Sequence, residues 1–161
     1  FPGVLYRGGA EQKIRQYLID NNYVDAVIQL PPDLFFGTTI ATCVIVLKKS
    51  KHDNATLFID ASAEFVRSGN KNKLTEAHQQ KILDAYMARE EMAHFARLVE
   101  NAAIAENGYN IAVSSYVAQE DTREVVDIQA LNARIARIVA RQAELRTAID
   151  AIVADLEGEA E

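Results

Sequence analysis

The chain has 161 residues, 49% of them hydrophobic, and a formal charge of −6 at neutral pH; that is enough apolar material for one ordinary domain core plus an appendage. No apolar run approaches the ~20 residues a membrane span needs, and no basic-then-apolar leader precedes a small-residue cleavage site, so a cytoplasmic location without a membrane partner is expected. The acidic balance argues against a self-sufficient DNA binder, since affinity for phosphates comes from neutralising them with Lys and Arg.

That imbalance is local. From Gln119 onward five Arg stand against ten Asp or Glu, whereas residues 1–60 carry six charges of each sign, so a nucleic-acid surface belongs to the first part. The chain opens Phe1-Pro2-Gly3-Val4 without an initiator Met, as a piece cut from a longer protein would. Gly8-Gly9 is a turn signal, and Ile14, Tyr17 and Leu18 recur at helical spacing, which predicts an amphipathic helix over Ala10–Asn21 ended by Asn21-Asn22. The short apolar run Val24–Leu30, stopped by Pro31-Pro32, predicts a buried strand. Ile40–Lys49, rich in β-branched residues, predicts a second, and Thr56–Asp60 a third after the polar turn Ser50–Asn54. Cys43, inside the second run, reads as core filler, with no other cysteine to bridge it. The order helix, strand, loop, strand, strand is that of the tail of an α/β domain, because one covering helix cannot bury both faces of a sheet.

Further on, Ser68–Lys73 reads as a polar, Gly-containing loop. Thr75 to about Glu91 reads as a helix with Ile82, Leu83, Tyr86 and Met87 on one side. His94–Val99 is expected as a short strand, Ala102–Glu106 as a helical turn closed by Asn107-Gly108, and Ile111–Val117 as irregular or extended. There is no internal repeat at solenoid periods. The last element is the most regular. Asp127 is a good N-cap, and Ile128, Leu131, Ile135, Ile138, Gln142, Leu145, Ile149, Ile152 and Leu156 alternate steps of three and four, which predicts a long helix with a continuous apolar, coiled-coil-like seam. Gln142 is its one polar member, of the kind that fixes register at some cost in stability. Val139 and Val153 widen the seam, and alanines keep the other faces smooth.

Three stretches together carry a family resemblance. Gly3-Val-Leu-Tyr-Arg-Gly-Gly-Ala-Glu-Gln-Lys-Ile-Arg-Gln-Tyr-Leu-Ile-Asp20, Val24-Asp-Ala-Val-Ile-Gln-Leu-Pro-Pro-Asp-Leu-Phe-Phe-Gly-Thr-Thr-Ile40 and Ala105-Glu-Asn-Gly-Tyr-Asn-Ile-Ala-Val-Ser-Ser-Tyr-Val117 resemble successive blocks of the modification subunits of type I restriction-modification enzymes, which are adenine-N6 DNA methyltransferases. The match covers essentially the whole chain and rests on order and spacing, not on any single block. One departure is Ser115, where the family often has a basic residue.

The resemblance implies an α/β fold: the C-terminal part of a Rossmann-like class I methyltransferase sheet, followed by helices and the long C-terminal helix. On that template Phe1–Gly3 would end the fifth strand, Ala10–Asn21 would be the covering helix, Val24–Leu30 the sixth strand and Ala41–Lys48 an antiparallel seventh. The implied organisation is 1–118 catalytic-domain tail, 119–126 linker and 127–157 assembly helix. The implied cofactor of the full-length enzyme is S-adenosylmethionine, held on a glycine-rich turn, with the adenine amino group met by an Asn-Pro-Pro-aromatic loop. Neither motif is in this sequence. Pro31-Pro32 is flanked by Leu30 and Asp33 where the amide and the aromatic would be needed, and Gly3–Gly9 has the wrong spacing for a dinucleotide fingerprint. The chain is therefore expected to bind no cofactor and to be inactive alone.

Methylation of an amine inside a duplex requires the base to be flipped out and held, partly on an aromatic face. The resemblance sets the loop between sixth and seventh strands beside that pocket. Phe35 stands where related adenine methyltransferases carry a stacking aromatic and is the candidate, with Phe36 beside it; the alternative is that either ring simply plugs the sheet end. Lys48, Lys49 and Lys51, with Arg67, Lys71 and Lys73, are candidates for phosphate contacts or, more plainly, solvated strand ends. His52, His78 and His94 show no ligand spacing, so no metal is expected, and Asp60 with Glu64 suits a cap or turn better than catalysis. The implied partners are the specificity subunit, met by the helix seam, the restriction subunit and DNA in the full complex, with a homodimer of this piece possible through the same seam. Two other classes remain: a pure assembly module without catalysis, and an unrelated coiled-coil protein with an α/β head.

Overall fold

The apolar run before Pro31 forms β1 (Val24–Gln29), buried over nearly its whole length. The structure, a computed structural model, describes residues 2–119 and 127–158, which fall into two compact units, Phe1–Glu120 and Asp121–Glu161. In the first unit β1 pairs on one side with β2 (Cys43–Leu47) and on the other with β3 (Ala55–Asp60), and β6 (Ala96–Glu100) follows beyond β3. β2 is antiparallel to β1, Cys43 opposite Gln29 and Leu47 opposite Val24, as the short connection after Pro31 requires. By returning the chain to the start of β1, β2 lets β3 run parallel to it, Ala26 beside Leu57. β3 is paired on both sides and fully buried, which accounts for an apolar run without alternation.

An irregularity between Val24 and Ala26 puts Val24 and Val27 on one face, against α1 (Ala10–Asp20) and α3 (Asn101–Glu106), where Ile19, Phe58, Ile104, Ile111 and Val113 close the first core. On the other face Ala26, Ile28, Leu57 and Ile59 meet α2 (Glu76–Ala88) through Ala85, Ile82 and Tyr86. Helices thus pack on both faces within this unit; the helix expected from Thr75 forms, and as α2 it supplies the second cover that the expectation of one covering helix left out. Thr75 caps α2 in a reciprocal pair with His78, and Arg89 ends it in the left-handed region at φ 52. Of the expected apolar side of α2, Ile82 and Tyr86 pack inward, whereas Leu83 and Met87 are exposed.

Several expectations are corrected. Phe1–Gly3 is implied by the resemblance as the end of a strand, but Pro2 and Gly3 open a 3-10 turn, Pro2–Leu5, that drives Leu5 into the first core; Phe1 lies outside the described residues. The turn is closed by the Arg7 amide donating to the Gly3 carbonyl at 3.0 Å, and Arg15 takes the carbonyls of Val4 and Arg7. α1 forms as expected, but its buried face is Arg15 and Ile19, and Ile14 and Tyr17 are each 60% exposed. Ser68–Lys73 is not a loop but the tip of a hairpin, β4 (Val66–Ser68) with β5 (Lys71–Lys73), joined through Gly69 at φ 60, a value that turns of this length demand and glycine meets without strain. The strand expected from His94 begins at Ala96, because His94 itself turns the chain at φ 59.

The second unit is α4 (Ile128–Gly158). Asp127 caps it, its carboxylate accepting from the backbone amides of Gln129 and Ala130. Every seam residue from Ile128 to Leu156, Gln142 included, is exposed. The linker expected at 119–126 lies, beyond Gln119, outside the described residues. Among the described residues no helix is long and apolar enough to cross a membrane.

Candidate functional site

The connection from β1 to β2 leaves the sheet at the C-terminal end of β1 and is closed at its base where the Leu30 amide donates to the Thr42 carbonyl at 2.9 Å. Leu34 tucks into the second core. Beyond it Phe35 is 49% and Phe36 fully exposed, followed by Gly37 at φ 77. A bare phenylalanine ring forgoes ~1.5–3 kcal/mol of burial, so two adjacent rings at a loop tip mark a surface for something flat and apolar. Against the sheet it is Leu34 that packs on the second core, whereas Phe35 is half-exposed and Phe36 lies in solvent.

The loop is braced from behind by the β4–β5 hairpin. The Asn72 side-chain amide donates to the Pro32 carbonyl at 2.8 Å, and its backbone amide to the Asp33 carbonyl at 3.1 Å. Arg67 donates both to Asn72 and to the Asp33 carboxylate, at 3.1 and 3.3 Å. Lys71 donates to the Thr38 carbonyl at 3.2 Å, with its ammonium 3.9 Å from Asp33. Asp33 sits at φ 54, a conformation that non-glycine residues keep only when their surroundings enforce it. Phe35 and Phe36 are therefore held between two anchored points. The brace was missed in sequence because Ser68–Lys73 looked like an unstructured polar turn, although Gly-Asn between two short polar runs is a hairpin signal.

The candidate cations separate into two groups. Arg67, Lys71 and Lys73 accompany the aromatic loop, Lys73 exposed and the other two already committed to it. Lys48, Lys49 and Lys51 lie at the other end of β1, where the Lys48 amide donates to Tyr23. Six strand residues at ~3.3 Å each put the two ends about 20 Å apart. Lys48 and Lys49 point into solvent. Lys51 donates to the Val24 carbonyl at 2.8 Å and belongs to a polar cluster with Asp25, Asp53 and Arg89; burial pulls its pKa down, against the upward pull of Asp53 and Asp25. The two groups therefore lie at opposite ends of β1.

Other candidates resolve into structure. The Asp60 carboxylate accepts from the Ser62 amide at 2.9 Å and from Gln119, and Glu64 pairs with Lys81, both turn and surface roles. Ser115 accepts from Asn110 at 3.0 Å. Cys43 is half-buried against the first core, and burial raises its thiol pKa, which keeps it a poor nucleophile. Among the described residues no cluster of three or more His, Cys, Asp or Glu is placed to hold a metal.

Residues 1–125 match the family model described as N-6 DNA Methylase. The chain is 47% identical over 157 residues to the type I restriction enzyme MpnII methylase subunit of Mycoplasma pneumoniae, covering 97% of this chain and 29% of that protein. It is 33% identical over 162 residues to the MjaVII methylase subunit of Methanocaldococcus jannaschii, covering 97% and 28%. The crystal structure of the type I restriction-modification methyltransferase subunit from Streptococcus thermophilus superposes with a TM-score of 0.70 at 46% identity, over 72% of this chain and 25% of that one. The chain thus spans under a third of the length of the curated relatives it matches.

Proposed function

The chain belongs to the N-6 DNA methylase family, and from that premise we propose that it is the C-terminal part of the modification subunit of a type I restriction-modification enzyme, which as a whole transfers a methyl group from S-adenosylmethionine to N6 of adenine in DNA. Its sheet then reads as the end of a Rossmann-like class I methyltransferase sheet, β1 as the sixth strand and β2 as the antiparallel seventh. The pairing of β2 with β1 and their register support this reading.

The cofactor and the adenine-amine contacts belong to parts of the enzyme other than this chain, whose own glycines and prolines do not fit them. Gly8-Gly9 leads from a 3-10 turn into α1 instead of following a strand, and Pro32 and Asp33 are occupied by the brace. What this chain supplies is the ring on which the flipped adenine rests. The carrying observation is the pair Phe35 and Phe36, water-exposed at the end of β1 on a loop pinned at Asp33 and Thr38. Lys73 is the candidate cation beside that loop for a DNA phosphate, with Lys48 and Lys49 as further candidates at the other end of β1; Lys51 is committed to Val24. In organisation, 1–118 would be the catalytic-domain tail, 119–126 the linker and 127–157 the coiled-coil-like helix that docks the specificity subunit, with the restriction subunit joining the same complex.

The test is Phe35→Ala and Phe36→Ala in the full-length subunit assembled with its partners. Base–aromatic stacking is worth ~1–3 kcal/mol, so the stacking ring's loss should slow methylation of hemimethylated DNA roughly tenfold to hundredfold while cofactor affinity stays unchanged. Normal rates for both variants would refute the assignment. A second reading, an assembly module with no part in catalysis, draws on the exposed seam of α4; normal rates in the Phe variants combined with lost assembly in seam variants would select it.

A further inference from the structure

We propose that Asn72 is a positioning residue for the aromatic loop, fixing where Phe35 and Phe36 meet the extruded base; the inference rests on the base-holding reading above. Asn72 is only 5% exposed, yet no regular strand ladder continues from it into the main sheet. Its polar groups are spent on one neighbour. The side-chain amide goes to Pro32, the backbone amide to Asp33, and the side-chain oxygen accepts from Arg67, which itself reaches Asp33. A buried side chain whose donors converge on an irregular segment is there for that segment's conformation.

The segment needs holding. Asp33 lies in the left-handed region at φ 54 and Gly37 at φ 77, so the stretch between them is bent at both ends. Leu34 is its one side chain packed in the second core. Without the Asn72 donor the Pro32 carbonyl loses its partner, Asp33 is free to relax to negative φ, and the tip swings. A misplacement of about 1 Å in a residue that orients a reactant can cost on the order of a hundredfold in rate. Arg67 and Lys71, whose sequence context suits either phosphate contacts or solvated strand ends, act within the same brace, Arg67 on Asp33 and Lys71 on Thr38.

Asn72→Asp separates positioning from folding. The replacement is the same size and still accepts from Arg67, but it cannot donate to Pro32. In the full-length subunit, in complex with its partner subunits, methylation of hemimethylated DNA is expected to fall roughly tenfold to hundredfold in kcat, and the fluorescence of 2-aminopurine placed at the target adenine is expected to lose its rise on binding. Affinity for S-adenosylmethionine and KM for DNA should stay near wild type, and the thermal midpoint should fall only by the few degrees that one unmet carbonyl costs. Lys71→Met, loosening only the Thr38 anchor, should give a smaller defect of the same kind. Normal kcat and fluorescence in Asn72→Asp, with Phe35→Ala or Phe36→Ala impaired, overturns the brace and leaves the aromatic reading standing. A fall in thermal midpoint and cofactor affinity that parallels the loss of rate makes Asn72 a plain structural residue and also overturns it. If the Phe and Asn72 variants all methylate normally, the loop does not hold the base and both readings fall together.

Discussion

Arg89 donates to the carboxylate of Asp25 at 2.9 Å, tying the C-cap of α2 to the second residue of β1. Asp25 is 2% exposed, so its charge depends on this guanidinium and on the Tyr86 hydroxyl at 2.6 Å. Removing one member of a buried pair strands the other, a loss of ~3–5 kcal/mol when both are buried; Arg89 reaches solvent, which moderates it. Arg89→Ala is expected to lower unfolding free energy by about 2–3 kcal/mol, measured by urea denaturation. Asp25→Leu in the same background should recover part of that loss, and an additive double mutant would disprove the coupling.

Tyr86 gives the same cluster a pH dependence. Its hydrogen bond to Asp25, then burial, push its pKa above the ordinary tyrosine value, which is about 10. A folded-state pKa above the unfolded one means the native protein holds the extra proton as pH rises between the two, so stability is complete below about pH 10 and declines above it. Tyr86→Phe should flatten this alkaline decline, read from denaturation series at pH 9 to 11.

Arg15 is buried inside α1 and feeds three carbonyls, those of Tyr109, Val4 and Arg7, at 2.7, 2.6 and 2.8 Å. Burial draws its pKa down, while Glu11 opposes the shift. Lysine cannot spread donors across that fork. Arg15→Lys is expected to cost about 2–3 kcal/mol, since unmet buried carbonyls cost ~1–3 kcal/mol each, and to speed amide exchange at Ile111, whose N–H binds Leu5. Unchanged exchange would show that the 3-10 turn at Pro2–Leu5 holds without it.

The 31-residue α4 extends ~45 Å at 1.5 Å per residue, and its eight Ile and Leu seam residues each offer ~1.5–3 kcal/mol on burial. Ile138→Asp with Leu145→Asp in the full-length protein should abolish assembly with the specificity subunit while cofactor binding persists. For the chain alone, sedimentation should show self-association that the same pair of substitutions removes. Intact assembly with the seam broken would make α4 an internal buttress.

Legibility in sequence followed the range of the interactions. β1 was readable because its burial is expressed in its own run and its end in Pro31, and α4 because its seam is written in one helix. α1 was readable as a helix but not in orientation: Arg15 faces inward on account of Val4, Arg7 and Tyr109, partners that no helical period reveals, and Ile14 and Tyr17 face out in its place. The hairpin was missed because Arg67, Lys71 and Asn72 are polar for the sake of the neighbouring loop. So Phe35 could be singled out as a candidate from the family resemblance, and the hairpin behind its loop could not.

The sheet order leaves β2 with a single partner, β1, and Cys43-Val-Ile-Val-Leu47 presents its other backbone edge without a strand among the described residues. An uncovered apolar edge is a template for stray chains. Directly after it stand Lys48 and Lys49, both exposed: paired like charges at the end of a β-branched run act as gatekeepers against stacking copies of that run. Neutralising these two exposed lysines is therefore expected to turn a sheet margin into a seed for aggregation when this chain is handled by itself.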